Sequence, residues 1–229
     1  MKRLALTTCS LAFVLFATAA CTQQTGTPDT TPELSEGMAP GNVSIEEVQR
    51  LSRLARDSED PAELTEYARH PNMGVRSEAA KNPALPVEIQ IELVNDPDGL
   101  VRNYLGANPQ LDDEVAAALV DDPDQRARRT VALNPNVPER ILVNFIRDEA
   151  LEVQKVLARN TSLSREMLLR IANESDPGAV IVLLQRDNLT EDVMEAIRAR
   201  PEQAIQDALE RRAAGEPVVT DNTVIEVSE

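Results

Sequence analysis

Aromatic side chains make up only 2% of this 229-residue chain, and tryptophan is absent. Beyond the first twenty residues only Tyr67, Tyr104 and Phe145 occur. A core must therefore be filled by Leu, Ile, Val and Ala, and the chain lacks the aromatic platforms on which glycan-cleaving enzymes commonly stack sugar rings. Histidine occurs once, at His70, and cysteine twice, at Cys9 and Cys21. One imidazole and so few thiols cannot build a Ser-His-Asp or Cys-His nucleophile set, and they leave zinc without ligands. His70 precedes Pro71 and is read as a cap on the carbonyls of a helix end. Basic residues are also scarce: 23 Lys and Arg face 39 Asp and Glu, for a formal charge of -16. Such a chain repels phosphate backbones and anionic headgroups, which argues against nucleic acid and against electrostatic membrane binding. The acids Asp96, Asp98, Asp121, Asp122 and Asp124 do not have the spacing, with its glycine, of a calcium loop, and they fall where helix caps are required. No catalytic residue, cofactor or metal is expected.

No apolar run is long enough to span a bilayer, since the one at the N-terminus covers only Leu11–Ala17. It follows Lys2 and Arg3 and precedes small residues, which is the grammar of an export signal over residues 1–20. Thr18-Ala19-Ala20-Cys21 resembles the lipobox of bacterial lipoproteins, with Thr18 where Leu is usual. The resemblance implies that Cys21 is lipidated and becomes the new N-terminus. Ordinary cleavage near Ala19 or Ala20, leaving Cys21 as a free thiol, is the alternative. Thr22 follows the cysteine in place of the Asp that retains such proteins in the inner membrane, which implies the outer membrane, facing the periplasm, if the cell is Gram-negative. Loss of Lys2 and Arg3 takes the charge from -16 to -18. With Cys9 removed, no internal disulfide can form, so packing alone must hold the mature fold. Residues 21–43, rich in Thr, Pro and Gly, read as a tether.

Order is expected to begin at Ser44, where Ser44-Ile-Glu-Glu47 makes a capping-box pattern and Ile45, Val48, Leu51 and Leu54 form a helical stripe. Beyond it the sequence repeats. Asn82, Asn108, Asn134 and Asn160 stand 26 residues apart, as do Pro71, Pro97 and Pro123, and apolar positions such as Ala79, Leu105, Val131, Leu157, Leu183 and Leu209 keep the same step. A shared period in turn and core residues marks a solenoid. Each unit reads as two short helices. The first starts at Pro86, Asp112, Pro138, Ser164 or Thr190, and the second opens on acids such as Asp98 and Asp124 and stops before Asn-Pro. Helices of about ten residues are unstable alone in water, so stacking is obligatory. The expected fold is all-α, a superhelical solenoid of short helix pairs over 44–213, with a disordered acidic tail over 214–229.

The stretch LVNDPDGLVRNYLGANPQLDDEV, Leu93–Val115, resembles the leucine-rich-repeat-variant family, and the unit from Leu119 to Ile141 matches nearly as well. The likeness covers about 62–212 and fades after the first three units. It implies a right-handed helical superhelix related in style to HEAT arrays, and no shared activity. Some members carry a cysteine-ligated iron-sulfur cluster; the cysteines are missing here, so no cluster is implied.

Arg76, Arg102 and Arg128 recur at the repeat step, with Arg129 and Lys155 adjoining. One account is local, with Asp98–Arg102 and Asp124–Arg128 as helical ion pairs four residues apart; where Ala150 replaces the acid, Gln154 replaces the base. The other makes the row a protein-binding face. The expected function is that of a lipid-anchored envelope protein, not an enzyme, that binds another protein or peptide along its repeat surface. A structural or accessory envelope lipoprotein is the alternative, and an enzyme with an unrecognised site comes third.

Overall fold

The computed structural model describes residues 44–219. The expected signal segment, Cys21, the tether, and the tail from 220 onward lie outside them. Among the described residues there are 13 α-helices and no strands. The helices are α1 Ile45–Asp57, α2 Pro61–Ala68, α3 Met73–Lys81, α4 Val87–Leu93, α5 Gly99–Gly106, α6 Asp113–Ala118 and α7 Gln125–Leu133, followed by α8 Glu139–Leu142, α9 Leu151–Arg159, α10 Arg165–Glu174, α11 Pro177–Leu183, α12 Glu191–Arg198 and α13 Gln203–Ala213.

Side chains just outside each helix explain where it starts. Ser44 Oγ accepts the Glu47 amide at 3.1 Å, while Glu47 turns to Arg50 instead of closing the reciprocal half of a capping box. Pro86, Asp112, Pro138, Ser164 and Thr190 are the N-cap residues of α4, α6, α8, α10 and α12. Asp98 and Asp124 cap α5 and α7 by accepting the amides of Leu100 and Arg126, each at 2.9 Å. The C-termini are set by the following proline: α3 and α7 end at the Asn of an Asn-Pro pair, which adopts extended geometry, and α5 ends at Gly106 just before one. Two of the shortest helices continue as 3-10 turns, α6 into Leu119–Asp121 and α8 into Val143–Arg147.

Successive odd-numbered helices from α1 to α13 pack against one another in order, and on the other side α2 meets α4, α6 meets α8 and α10 meets α12. This arrangement is compatible with a helical repeat. Between the two rows lies a continuous core that includes Leu64, Leu105, Leu119, Leu157, Ile171, Leu183 and Ile197, with Phe145 as its one fully buried aromatic. Gly106 permits close approach of α5 to α7, since a Cβ there would lie 3.0 Å from Val131 Cγ2 and 3.3 Å from the Ala127 carbonyl.

The last described residues fall within the stretch expected as a tail. Residues 214–219 are held in place: Gly215 takes φ 72°, with its amide on the Arg212 carbonyl and the Glu216 amide on that of Arg211, a Schellman closure of α13. Val218 then packs against the core, and its carbonyl accepts Gln185 Nε2 at 2.9 Å. A Gly-Glu-Pro-Val-Val segment looks polar as a string, but Val218 finds apolar surface at the end of the row while Val219 stays exposed.

Candidate functional site

Arg76, Arg102 and Arg128 sit at one helical position on α3, α5 and α7. Neither Arg102 nor Arg128 forms the local pair expected with Asp98 or Asp124 four residues away. Arg102 instead holds Asp122 with both Nε, at 2.7 Å, and Nη2, at 3.0 Å; Arg76 grips Asp96 and Arg128 grips Asp148 in the same two-pronged way. The third prong, Nη1, turns back: it donates to the Asp96 carbonyl from Arg102, to the Asp122 carbonyl from Arg128, and to the His70 and Pro71 carbonyls from Arg76. Each of these Asp residues also accepts the amide two positions on, as Asp122 does from Asp124 at 2.7 Å. The local pairs fail for a geometric reason. Asp98 and Asp124 are extended N-cap residues whose carboxylates are engaged by helix amides, and Asp124 also takes Arg126 at 2.7 Å. Each guanidinium therefore spans from its own helix to the next helix pair. The Arg side chains are 14%, 12% and 7% exposed, and their Asp partners less. The aspartate hydrogen bond holds each guanidinium pKa above its ordinary value against the opposing effect of burial.

The remaining residues of the expected binding row part company. Lys155 is buried and paired with Glu152 at 2.9 Å, whereas Arg129 is exposed. Gln154, where the Arg repeat breaks, keeps the backward bond alone, donating to the Asp148 carbonyl at 2.7 Å, and its Oε1 takes over acceptance of the Asp176 amide. Asp96, Asp122 and Asp148 were missed as partners of the row; their recurrence 20 residues after each Arg is the signal that points to them.

A second polar series runs through the buried Asn residues. Asn108 Nδ2 donates to the carbonyls of Ala80 and Asn82, at 3.0 and 2.8 Å. Asn134 repeats this on Gly106 and Asn108, and Asn160 on Ala132 and Asn134. Asn82 begins the series on Ala55, Arg56 and Ser58 at the end of α1. The Oδ1 atom of each accepts the amide two residues on, so one side chain closes its own turn and satisfies carbonyls freed at the preceding helix end. The series does not stop where Asn does. Arg186 Nη1 donates to Ala158 and Asn160, and Arg212 donates to Leu184 and Arg186. The substitution leaves Arg186 Nε buried without a partner.

His70 accepts rather than donates: its Nδ1 takes the Asn72 amide at 3.1 Å, the role that Asp96 and Asp122 play further on. It thus serves the start of α3, not the carbonyls of a helix end. Open grooves border Arg128, one of about 660 Å3 walled by Pro123, Gln125 and Glu149, but its arginines are already committed to Asp122 and Asp148.

What remains open is the outer face of α5, α7 and α9. Arg129 and Arg159 are exposed there and make no ion pair among the described residues, and Leu133 is 49% exposed. Two hollows of about 260 Å3 meet at Thr130 and Leu133, one running to Arg126, Arg129 and Val156, the other to Ala107, Pro109 and Pro135. Among the described residues no group of three His, Cys, Asp or Glu is placed to hold a metal ion, and no helix is long and apolar enough to cross a membrane. Comparison with known proteins gives no match to a family model, a curated protein or a solved structure.

Proposed function

We propose that the chain is a helical solenoid with a 26-residue unit that binds another protein or a peptide along its surface, and that a lipid on Cys21 holds it in the cell envelope. The repeat is supported by the first residues of α2, α4, α6, α8, α10 and α12, at 61, 87, 113, 139, 165 and 191, and by the constant offset of 26 between successive rungs of the Asn series. The likeness to leucine-rich-repeat-variant units, over about 62–212 and clearest at 93–141, rests on the sequence alone. The observation that carries the binding function is the contrast between recurring polar groups consumed by internal bonds and the face of α5–α9, where Arg129 and Arg159 are exposed without an ion pair among the described residues and Leu133 stands half in water. Repeat surfaces of this kind present broad platforms to partners. Outer-membrane attachment rests on the sequence around Cys21 and on Thr22.

Crosslinking of the full-length protein in envelope fractions, followed by affinity recovery, tests the binding function. A saturable partner recovered in fixed ratio is expected. Abundant protein with no partner in fixed ratio would instead favour a structural envelope component, a reading supported by the same internal consumption of Arg and Asn side chains.

A further inference from the structure

We propose that the paired hollows along α5, α7 and α9 bind an extended peptide that sets an apolar side chain against Leu133 and places carboxylates on Arg129 and on the exposed Arg159 beyond them. This inference rests on the peptide-binding function and gives it a place and a partner chemistry. Leu133 stands where Lys81, Ala107, Arg159 and Gln185 occur at or just past the ends of the other odd-numbered helices, yet it is a large apolar side chain left half in water. Pro109 and Pro135 beside it offer apolar rings and no amide donors. The hollows, at about 260 Å3 each, fall just below the usual size of a small-molecule pocket and suit single side chains.

Charge selects the rest of the partner. Arg129 lines the first hollow with exposed Arg126, and Arg159 is exposed on the next odd-numbered helix; neither Arg129 nor Arg159 makes an ion pair among the described residues, although both help Lys155 hold the nearby Glu152 carboxyl below its ordinary value, so the face carries more bases than acids. Arg126 shares an exposed ion pair with Asp124. At physiological ionic strength charges are screened beyond about 8 Å, so this cluster acts on a short acidic peptide more than the distant net charge does. Arg128 and Lys155 take no part, because Asp148 and Glu152 already hold them.

The test uses the full chain without its signal segment and three fluorescent ten-residue probe peptides built around Leu, flanked by Glu, by Gln or by Lys. Anisotropy should rank them Glu over Gln over Lys, with the preference for Glu shrinking as salt rises. Arg129→Glu combined with Arg159→Glu, and separately Leu133→Asp, should each weaken the Glu probe at least tenfold. Arg140→Glu, a single charge reversal on α8, should leave it unchanged, and circular dichroism of every variant should match the parent. Equal affinity for the Glu and Gln probes would overturn the inference. So would Glu-probe binding that ignores the α7 and α9 variants, although the chain would then still be a peptide binder. Failure of all probes alongside saturable capture of an envelope protein would overturn this site and spare the broader function. Variant-sensitive binding to phosphatidylglycerol vesicles in place of the peptides would assign the face to a membrane surface and overturn the inference as well.

Discussion

Asn108 shows how much one side chain does in this chain. It is fully buried, and its amide serves three backbone groups: the carbonyls of Ala80 and Asn82 and the amide of Gln110. Asn108→Ala strands these groups away from water, and chemical denaturation should register a loss of about 1–3 kcal/mol; Asn136→Ala, whose side chain makes one exposed bond to Pro109, should cost clearly less. Acid behaves differently from amide. The Asp124 carboxyl is held below its ordinary value first by the Arg126 guanidinium and then by the Arg126 backbone amide. A depressed carboxylate contributes stability that is present above the unfolded value, near 3.8, and is lost as pH falls through the lower folded value. Asp124→Asn, which keeps an acceptor for the cap, should therefore show a shallower loss of stability below about pH 4 than the parent.

At the scale of elements, helix starts were legible and helix partners were not. Pro86, Asp112, Pro138, Ser164 and Thr190 stand at N-caps because local chemistry alone decides which residue suits a cap. The 3-10 endings after α6 and α8 left no comparable mark, since LVD and VNFIR suit either helix form. Pairing of Arg102 with Asp122 was hidden by a nearer acid at Asp98, which satisfies a spacing rule but not the geometry of an extended cap. At Arg186 and Arg212 a guanidinium donates to the same carbonyls as an Asn amide, so the period was kept in hydrogen-bond donation while residue identity changed. On the candidate site, Arg129 was legible from the repeat, but Leu133 was not, because a leucine at a helix end reads as core until its exposure is known. Packing supplies a further prediction at this scale. Phe145, fully buried where α8 gives way to its 3-10 turn, should cost about 3–5 kcal/mol when replaced by Ala, read as a lowered denaturation midpoint.

Across the whole molecule, adjacent helix pairs are joined by apolar contact, by the Asn and Arg rungs, and by the Arg–Asp clamps. The clamps take opposite charges out of water together, whereas the Arg186 rung takes a guanidinium out of water with only carbonyls to receive it; buried pairs of the clamp kind contribute more to choosing one register than to raw stability. Anchoring is a separate matter, since among the described residues no helix is fit to span a bilayer. Cys21→Ser should release the protein from membranes or leave it unprocessed; membrane attachment that survives this change and resists salt and carbonate washing would contradict a lipid anchor. The claim that recurring charges link one helix pair to the next is tested most directly by double-mutant cycles in denaturant, one between Arg102→Gln and Asp122→Asn and one between Arg102→Gln and Asp98→Asn. A coupling of about 1–3 kcal/mol in the first cycle and nearly none in the second is predicted; coupling to Asp98 with none to Asp122 would contradict it.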